Sequence, residues 1–177
     1  GFGDVLHALS ELPQWLVCAV DGPAMGGGFG LLCCADVVIA TEHASFATPE
    51  VTLGLPPAQI VPFVWQRLGD AVARQCLLSG ARWSAAQAQA AGLVNTVVAD
   101  GALGAAVAEA ERALRAAAPG AVAATKQLLH RLRDKAPDLR NEAAIAFAAA
   151  LRGPEAAAGL AAFAKKQPAP WAKDGTA

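Results

Sequence analysis

The stretch Val20-Asp21-Gly22-Pro23-Ala24-Met25-Gly26-Gly27-Gly28-Phe29-Gly30 decides how the rest of the chain is read. Leu16 to Val20, just before it, is a short valine-rich apolar run and reads as a buried strand. Asp21-Gly22-Pro23 signals a turn. Three consecutive glycines cost backbone entropy and are not placed inside a helix without reason. The run that follows, Leu31-Leu32-Cys33-Cys34-Ala35, reads as a buried helix. The glycines therefore sit at a strand-to-helix junction, where N–H groups lack helical partners and carry positive partial charge. Such groups hold an anion or stabilise an oxyanion. Close packing of the turn on a neighbouring strand would use the same glycines. Two nucleotide readings fail: the dinucleotide fingerprint needs a glycine where Leu31 stands, and no Gly-Lys-Ser/Thr triplet occurs. A Gly-x-Ser-x-Gly elbow is absent too.

Outward from this junction, Val5, Leu6, Leu9 and Leu12 have helical spacing and Pro13 ends that helix. On the other side, Val37 to Ala40 is a wholly apolar strand and Thr41 to Pro49 reads as a loop. Helices follow over Ala58–Leu68, closed by Gly69, and over Ala71–Leu78. A third starts at the N-cap Ser84 and runs through Ala91, and Leu93–Val98 is a strand. After Asp100 only helices are expected: Leu103–Ala118, Ala121–Arg133, Leu139–Leu151 and Glu155–Ala164. Apolar strands separated by helices predict an α/β arrangement with covered sheets. About three strands are too few for a closed core. The chain also begins within a helical pattern, so an N-terminal portion is expected to precede Gly1.

Composition narrows the function. With 55% hydrophobic and 16% charged residues among 177, the chain is not disordered. Its net charge of -1 provides no excess of cations for a phosphate backbone, so nucleic acid is not an expected partner. Asp21 and Asp36 interrupt the most apolar region, which rules out a spanning helix there, and no basic amphipathic stretch suggests a membrane surface. Gly1 to Ala35 shows no basic start or cleavage pattern, so no signal peptide and a cytoplasmic location are expected. Cys18, Cys33, Cys34 and Cys76 have no CxxC spacing and read as reduced thiols in apolar runs. His7, His43 and His130 lie at no ligand spacing from them, so no metal site is expected. Glu50 is the only acid between Glu42 and Asp70, with Pro49, Val51, Leu53 and Leu55 around it. Partial desolvation would fit its carboxyl for proton transfer, whereas a carboxylate facing water would have no such role.

The Val20–Gly30 run, followed by Ala35-Asp36, Ala44-Ser45-Phe46 and Pro49-Glu50-Val51-Thr52-Leu53-Gly54, resembles the crotonase superfamily of enoyl-CoA hydratases and isomerases. Ser79-Gly80 with Ala91-Gly92-Leu93-Val94, and Phe163-Ala164-Lys165-Lys166-Gln167-Pro168, resemble its later blocks. The resemblance implies an α/β fold: a crotonase-like spiral of ββα units (here its C-terminal part, residues 1–114) and a helical trimerisation and CoA-contacting region (115–177). It implies an acyl-CoA thioester as substrate, no cofactor beyond the CoA of that substrate, no metal, and a homotrimer or dimer of trimers. Gly27 matches one oxyanion donor, the second belonging to a segment earlier than this sequence. Glu50 matches the acid/base, Gly26, Gly30, Phe46 and Leu55 the substrate pocket, and Phe163 and Lys166 positions that approach CoA. Gly30 stands where hydratases with two glutamates carry the first of them, and would open space beside the acyl chain. The expected reaction is hydration of a 2-enoyl-CoA. The Gly-rich run and Pro57-Ala58-Gln59-Ile60-Val61-Pro62 are similar to hydratases of branched glutaconyl-type thioesters, such as the isohexenylglutaconyl- and methylglutaconyl-CoA enzymes. Isomerisation by Glu50 alone, or acyl-CoA binding without catalysis, are the alternatives.

Overall fold

The computed structural model describes residues 1–53, 55–133, 148–149 and 152–172, the side chains of Phe163 and Ala172 excepted. The helix expected over Leu139–Leu151 therefore lies outside the described residues, apart from 148 and 149, as does Gly54. Two compact units divide the chain, Gly1–Ala108 and Glu109–Ala177.

In the first unit the elements run α1 (Phe2–Ser10), β1 (Val17–Val20), β2 (Pro23–Met25), α2 (Gly27–Cys34), β3 (Val37–Thr41) and β4 (Ser45–Ala47). A 3-10 turn (Pro49–Leu53) leads to α3 (Val61–Ser79), β5 (Trp83–Ser84), α4 (Ala85–Ala90) and β6 (Thr96–Val98). Gly69, at φ 71° and ψ 169°, breaks α3 into the two helical pieces expected from its sequence. The strands form two three-stranded sheets, ordered β1-β3-β6 and β2-β4-β5. The first is parallel throughout, with Val17 opposite Val37 and Ile39 opposite Thr96. In the second, β2 pairs parallel and β5 antiparallel with β4. The three strands of this second sheet are two or three residues long, too short for any periodic signal, so the reading of Thr41–Pro49 as plain loop is corrected.

The core is built where the sheets meet α2 and α3. Phe29, Phe46, Leu6, Leu93, Val38 and Val64 are fully buried, and Phe29 meets Trp83 edge to face at 6.0 Å. Loop carbonyls are gathered by one side chain: the Arg67 guanidinium donates to the carbonyls of Ala35, Gly92 and Leu93 and to Asn95 Oδ1. Asn95 Oδ1 also accepts from the Val38 amide at 2.8 Å, fixing the approach to β6. Such charge-assisted bonds to otherwise unpaired carbonyls replace regular structure at the sheet margin.

In the second unit, α5 (Leu103–Arg115) leads in from the first, and α6 (Pro119–Arg133) and α7 (Pro154–Ala164) follow. Glu155 accepts from the amides of Gly120 and Ala121 at 2.8 and 3.2 Å, capping α6 with a carboxylate from another helix. Trp171 donates its indole N–H to the Ala116 carbonyl.

At the carboxyl ends of the parallel sheet, the exposed His43 ring spans two strand ends. Its Nδ1 lies 2.6 Å from Asp100 Oδ1, and its Nε2 lies 3.1 Å from the Asp21 carbonyl and 3.7 Å from Asp21 Oδ1. The Asp100 hydrogen bond, followed by the Asp21 carbonyl, raises the imidazole pKa above its ordinary value. The doubly protonated ring is thus favoured in the folded chain. This contribution is fully present below the histidine's unfolded pKa and is lost as pH rises through the raised one. Thermal midpoints measured from about pH 5.5 to 8.5 are expected to fall across that upper window, and Asp100→Asn to flatten the fall.

Candidate active site at the glycine junction

The junction expected from the sequence is present: Gly26 is the N-cap of α2, at φ 52° and ψ -114°, a conformation open in practice to glycine alone. Its amide donates to the Ala47 carbonyl at 2.8 Å, continuing the β2–β4 ladder into the helix start. The first N–H groups of α2 have no acceptor within the helix, and the Gly30 amide is the one that reaches back to the Gly26 carbonyl. Gly27 and Gly28 therefore present their amides at the positive end of the helix.

Glu50 is brought to this point from the other side. It lies in the 3-10 turn Pro49–Leu53. Thr48 anchors the approach, its buried hydroxyl donating to the Cys76 carbonyl at 2.8 Å. Thr52 closes the turn on the Pro49 carbonyl, and the Leu55 amide returns to the Glu50 carbonyl. The carboxylate reaches Gly26: Oε1 lies 2.8 Å from where a Cβ on that glycine would stand. Oε2 is buried and has no hydrogen-bond partner. Burial without a partner is costly for a carboxyl oxygen. A group kept so is available to a proton or a bound molecule.

The remaining expected residues separate. Gly30 is buried, and its missing side chain leaves no open space, which corrects the expectation. A Cβ there would meet Ile60 Cγ2 at 2.4 Å and Leu6 Cδ1 at 3.5 Å, so the room is filled by aliphatic groups. Phe46 has 0% exposure and pairs across the ladder with Trp83 in the core. Leu55 is exposed. Lys166 is exposed at φ 54°, in the left-handed position that ends α7, where the Gln167 amide bonds the Ala162 carbonyl. The Phe163 side chain lies outside the described residues.

Two residues at the junction were not singled out in the sequence. Ile60 fills the Gly30 position, and the ring of Phe2 stands on Gly27, 3.0 Å from where its Cβ would be. Their signal was ordinary apolar spacing, which marks core as readily as site. An open apolar groove of about 360 Å³, lined by Val51, Pro57, Val61, Trp65, Leu77 and others, contains neither the glycines nor Glu50. It is not the place where these groups meet. Among the described residues no three His, Cys, Asp or Glu side chains converge as metal ligands. The thiols are quiescent: burial raises the pKa of each, that of Cys34 to about 11.

Against known proteins, the family model described as enoyl-CoA hydratase/isomerase matches residues 1–174. A carnitinyl-CoA dehydratase of Salmonella arizonae is 35% identical over 172 residues, covering 94% of this chain and 66% of that protein. A Citrobacter koseri protein of the same name is 32% identical with the same coverage. The chain thus spans about two thirds of the length of these curated relatives. Among solved structures, an enoyl-CoA hydratase/isomerase from Marinobacter aquaeolei superposes with a TM-score of 0.92 at 42% identity, covering 97% of this chain and 66% of that one. Pseudomonas aeruginosa AtuE does so with a TM-score of 0.92 at 42% identity, covering 97% and 67%.

The contact between Gly26 and Glu50 makes a prediction independent of any reaction. Gly26→Ala places a methyl group at positive φ and against Oε1, and should destabilise the fold by about 1–3 kcal/mol in urea unfolding. Gly28→Ala, whose Cβ meets only the Ala24 methyl at 4.0 Å, should cost less than half as much; equal costs would mean that the carboxylate does not rest on Gly26.

Proposed function

This chain belongs to the enoyl-CoA hydratase/isomerase family, the crotonase superfamily, and we propose that it catalyses the reversible hydration of a 2-enoyl-CoA thioester, with Glu50 as acid/base and the Gly27 amide as an oxyanion donor. One observation carries the reading: a carboxylate with a buried, unpartnered oxygen stands against Gly26, the N-cap of α2, whose first amides have no acceptor within the helix. The relatives named as dehydratases support it, since dehydration of a hydroxyacyl thioester is hydration reversed.

Glu50 takes a proton from water as the water oxygen bonds to Cβ. The electrons of the Cα–Cβ double bond move toward the carbonyl, and its oxygen becomes an enolate held by the Gly27 N–H. One such donor is typically worth about 3 kcal/mol in the transition state. Glu50 then returns the proton to Cα, so the water's atoms are all accounted for and the carboxylate is regenerated. In this proposal the acyl group is branched, and Lys166 and Phe163 approach the CoA moiety. Residues 115–177 carry assembly into trimers or dimers of trimers, in the cytoplasm.

A second reading is favoured by Gly30 and Ile60. No carboxylate stands at position 30, and the space is apolar. A lone Glu50 suits transfer of a proton between Cα and Cγ, which is isomerisation of a 3-enoyl to a 2-enoyl thioester.

Glu50→Gln tests both. Loss of the enoyl-thioester absorbance with crotonyl-CoA should slow about 10²–10⁴-fold in kcat with KM little changed. Isomerase activity on a 3-enoyl-CoA, with no hydration, would replace the first reading by the second. Full activity in Glu50→Gln, or tight acyl-CoA binding with no turnover in either assay, would overturn both.

A further inference from the structure

Two neighbouring glycines at the junction lie under two different groups. Over Gly26 stands the Glu50 carboxylate, and against Gly27 stands the tip of the Phe2 ring, with Cζ and Cε1 at 3.0 and 3.1 Å from the Cβ position. The helix that carries the ring is fixed to its neighbours. Leu6, one turn on in α1, is fully buried and packs toward Gly30. The Gly3 amide donates to Gln59 Oε1 at 2.9 Å, tying the first turn of α1 to the segment before α3. Phe2 itself keeps 37% of its surface exposed. A partly exposed aromatic ring thus stands on Gly27, whose amide is the one assigned to the thioester oxygen.

An oxygen bound at the Gly27 N–H places Cα and Cβ of the acyl group within two or three bonds of that amide. The ring stands on the same residue as that amide, so these carbons and the substituents in their plane lie within its reach. Building on the reading of Glu50 and Gly27 above, we propose that Phe2 is a specificity-determining residue: its ring, standing on Gly27 beside the glycine that Glu50 reaches, bounds the acyl site, and its bulk sets how large a substituent at Cβ of the enoyl thioester is accepted. A flat conjugated acyl group packs on such a ring, while a branch pointing toward it must displace it.

The test compares crotonyl-CoA with 3-methylcrotonyl-CoA in the full chain for wild type, Phe2→Ala and Phe2→Leu. Phe2→Ala should raise the kcat/KM ratio of branched to unbranched substrate about tenfold or more, the size of effect one methyl group produces in an apolar pocket. Phe2→Leu should fall between. Parallel loss on both substrates, with the ratio unmoved, overturns the proposal. Dissociation constants of the saturated, unreactive butyryl- and isovaleryl-CoA give the same ratio without turnover. A shift there supports the proposal even for a variant too slow to assay, and no shift in Phe2→Leu, the milder change, counts against it. Glu50→Gln separates the two claims. If it abolishes turnover while the Phe2 ratio stays fixed, the Phe2 inference alone fails. If it retains wild-type rates, the underlying reading of the site fails.

Discussion

Gly26 sits at a backbone conformation costly to any other residue, and its amide is bonded to the Ala47 carbonyl. That single link joins the end of β2 to the end of β4 and points the first amides of α2 toward the turn that carries Glu50. The missing side chain of Gly26 is as necessary as the bond, because the carboxylate occupies that space. Strand pairing, helix start and acid placement thus depend on one position. The cost of its conformation is offset by the surrounding core, in which Phe29 and Phe46 are fully buried.

Gly30 shows how a second glycine, one turn further along α2, works to the opposite end. Its absent side chain lets Ile60 and Leu6 close over the helix, so α1, α2 and the start of α3 become one apolar block. The block leaves no room for water beside Gly30. It also fills position 30 with aliphatic groups and leaves no room there for a second carboxylate.

Much of this was legible in the residues. The triple glycine after a turn signal placed the strand-to-helix junction, and Gly69 placed the break in α3, because backbone conformation is written in glycine more plainly than in any other residue. Glu50 stood out as an acid in apolar company. The second sheet was not legible: Pro23–Met25, Ser45–Ala47 and Trp83–Ser84 are held by pairing with distant segments, and a strand of two or three residues has no period of its own. The burial of Phe46 and the filled space beside Gly30 were hidden for a related reason. Nothing in a linear sequence says that Trp83 covers the one and Ile60 the other. Phe2 was hidden by its regular spacing with Leu6.

The parallel sheet has a further consequence, for the order in which the chain folds. β1 and β3 pair across about twenty residues, with α2 between them, while β6 joins β3 from nearly three times as far along the chain. Loop-closure entropy therefore favours β1, α2 and β3 as an early nucleus, with β6 arriving late. The Arg67 and Asn95 bonds act as a latch on that last arrival, since they engage the approach to β6 after the rest is in place. On this order the glycine junction is shaped first, and the sheet beside it is completed around an already formed helix start.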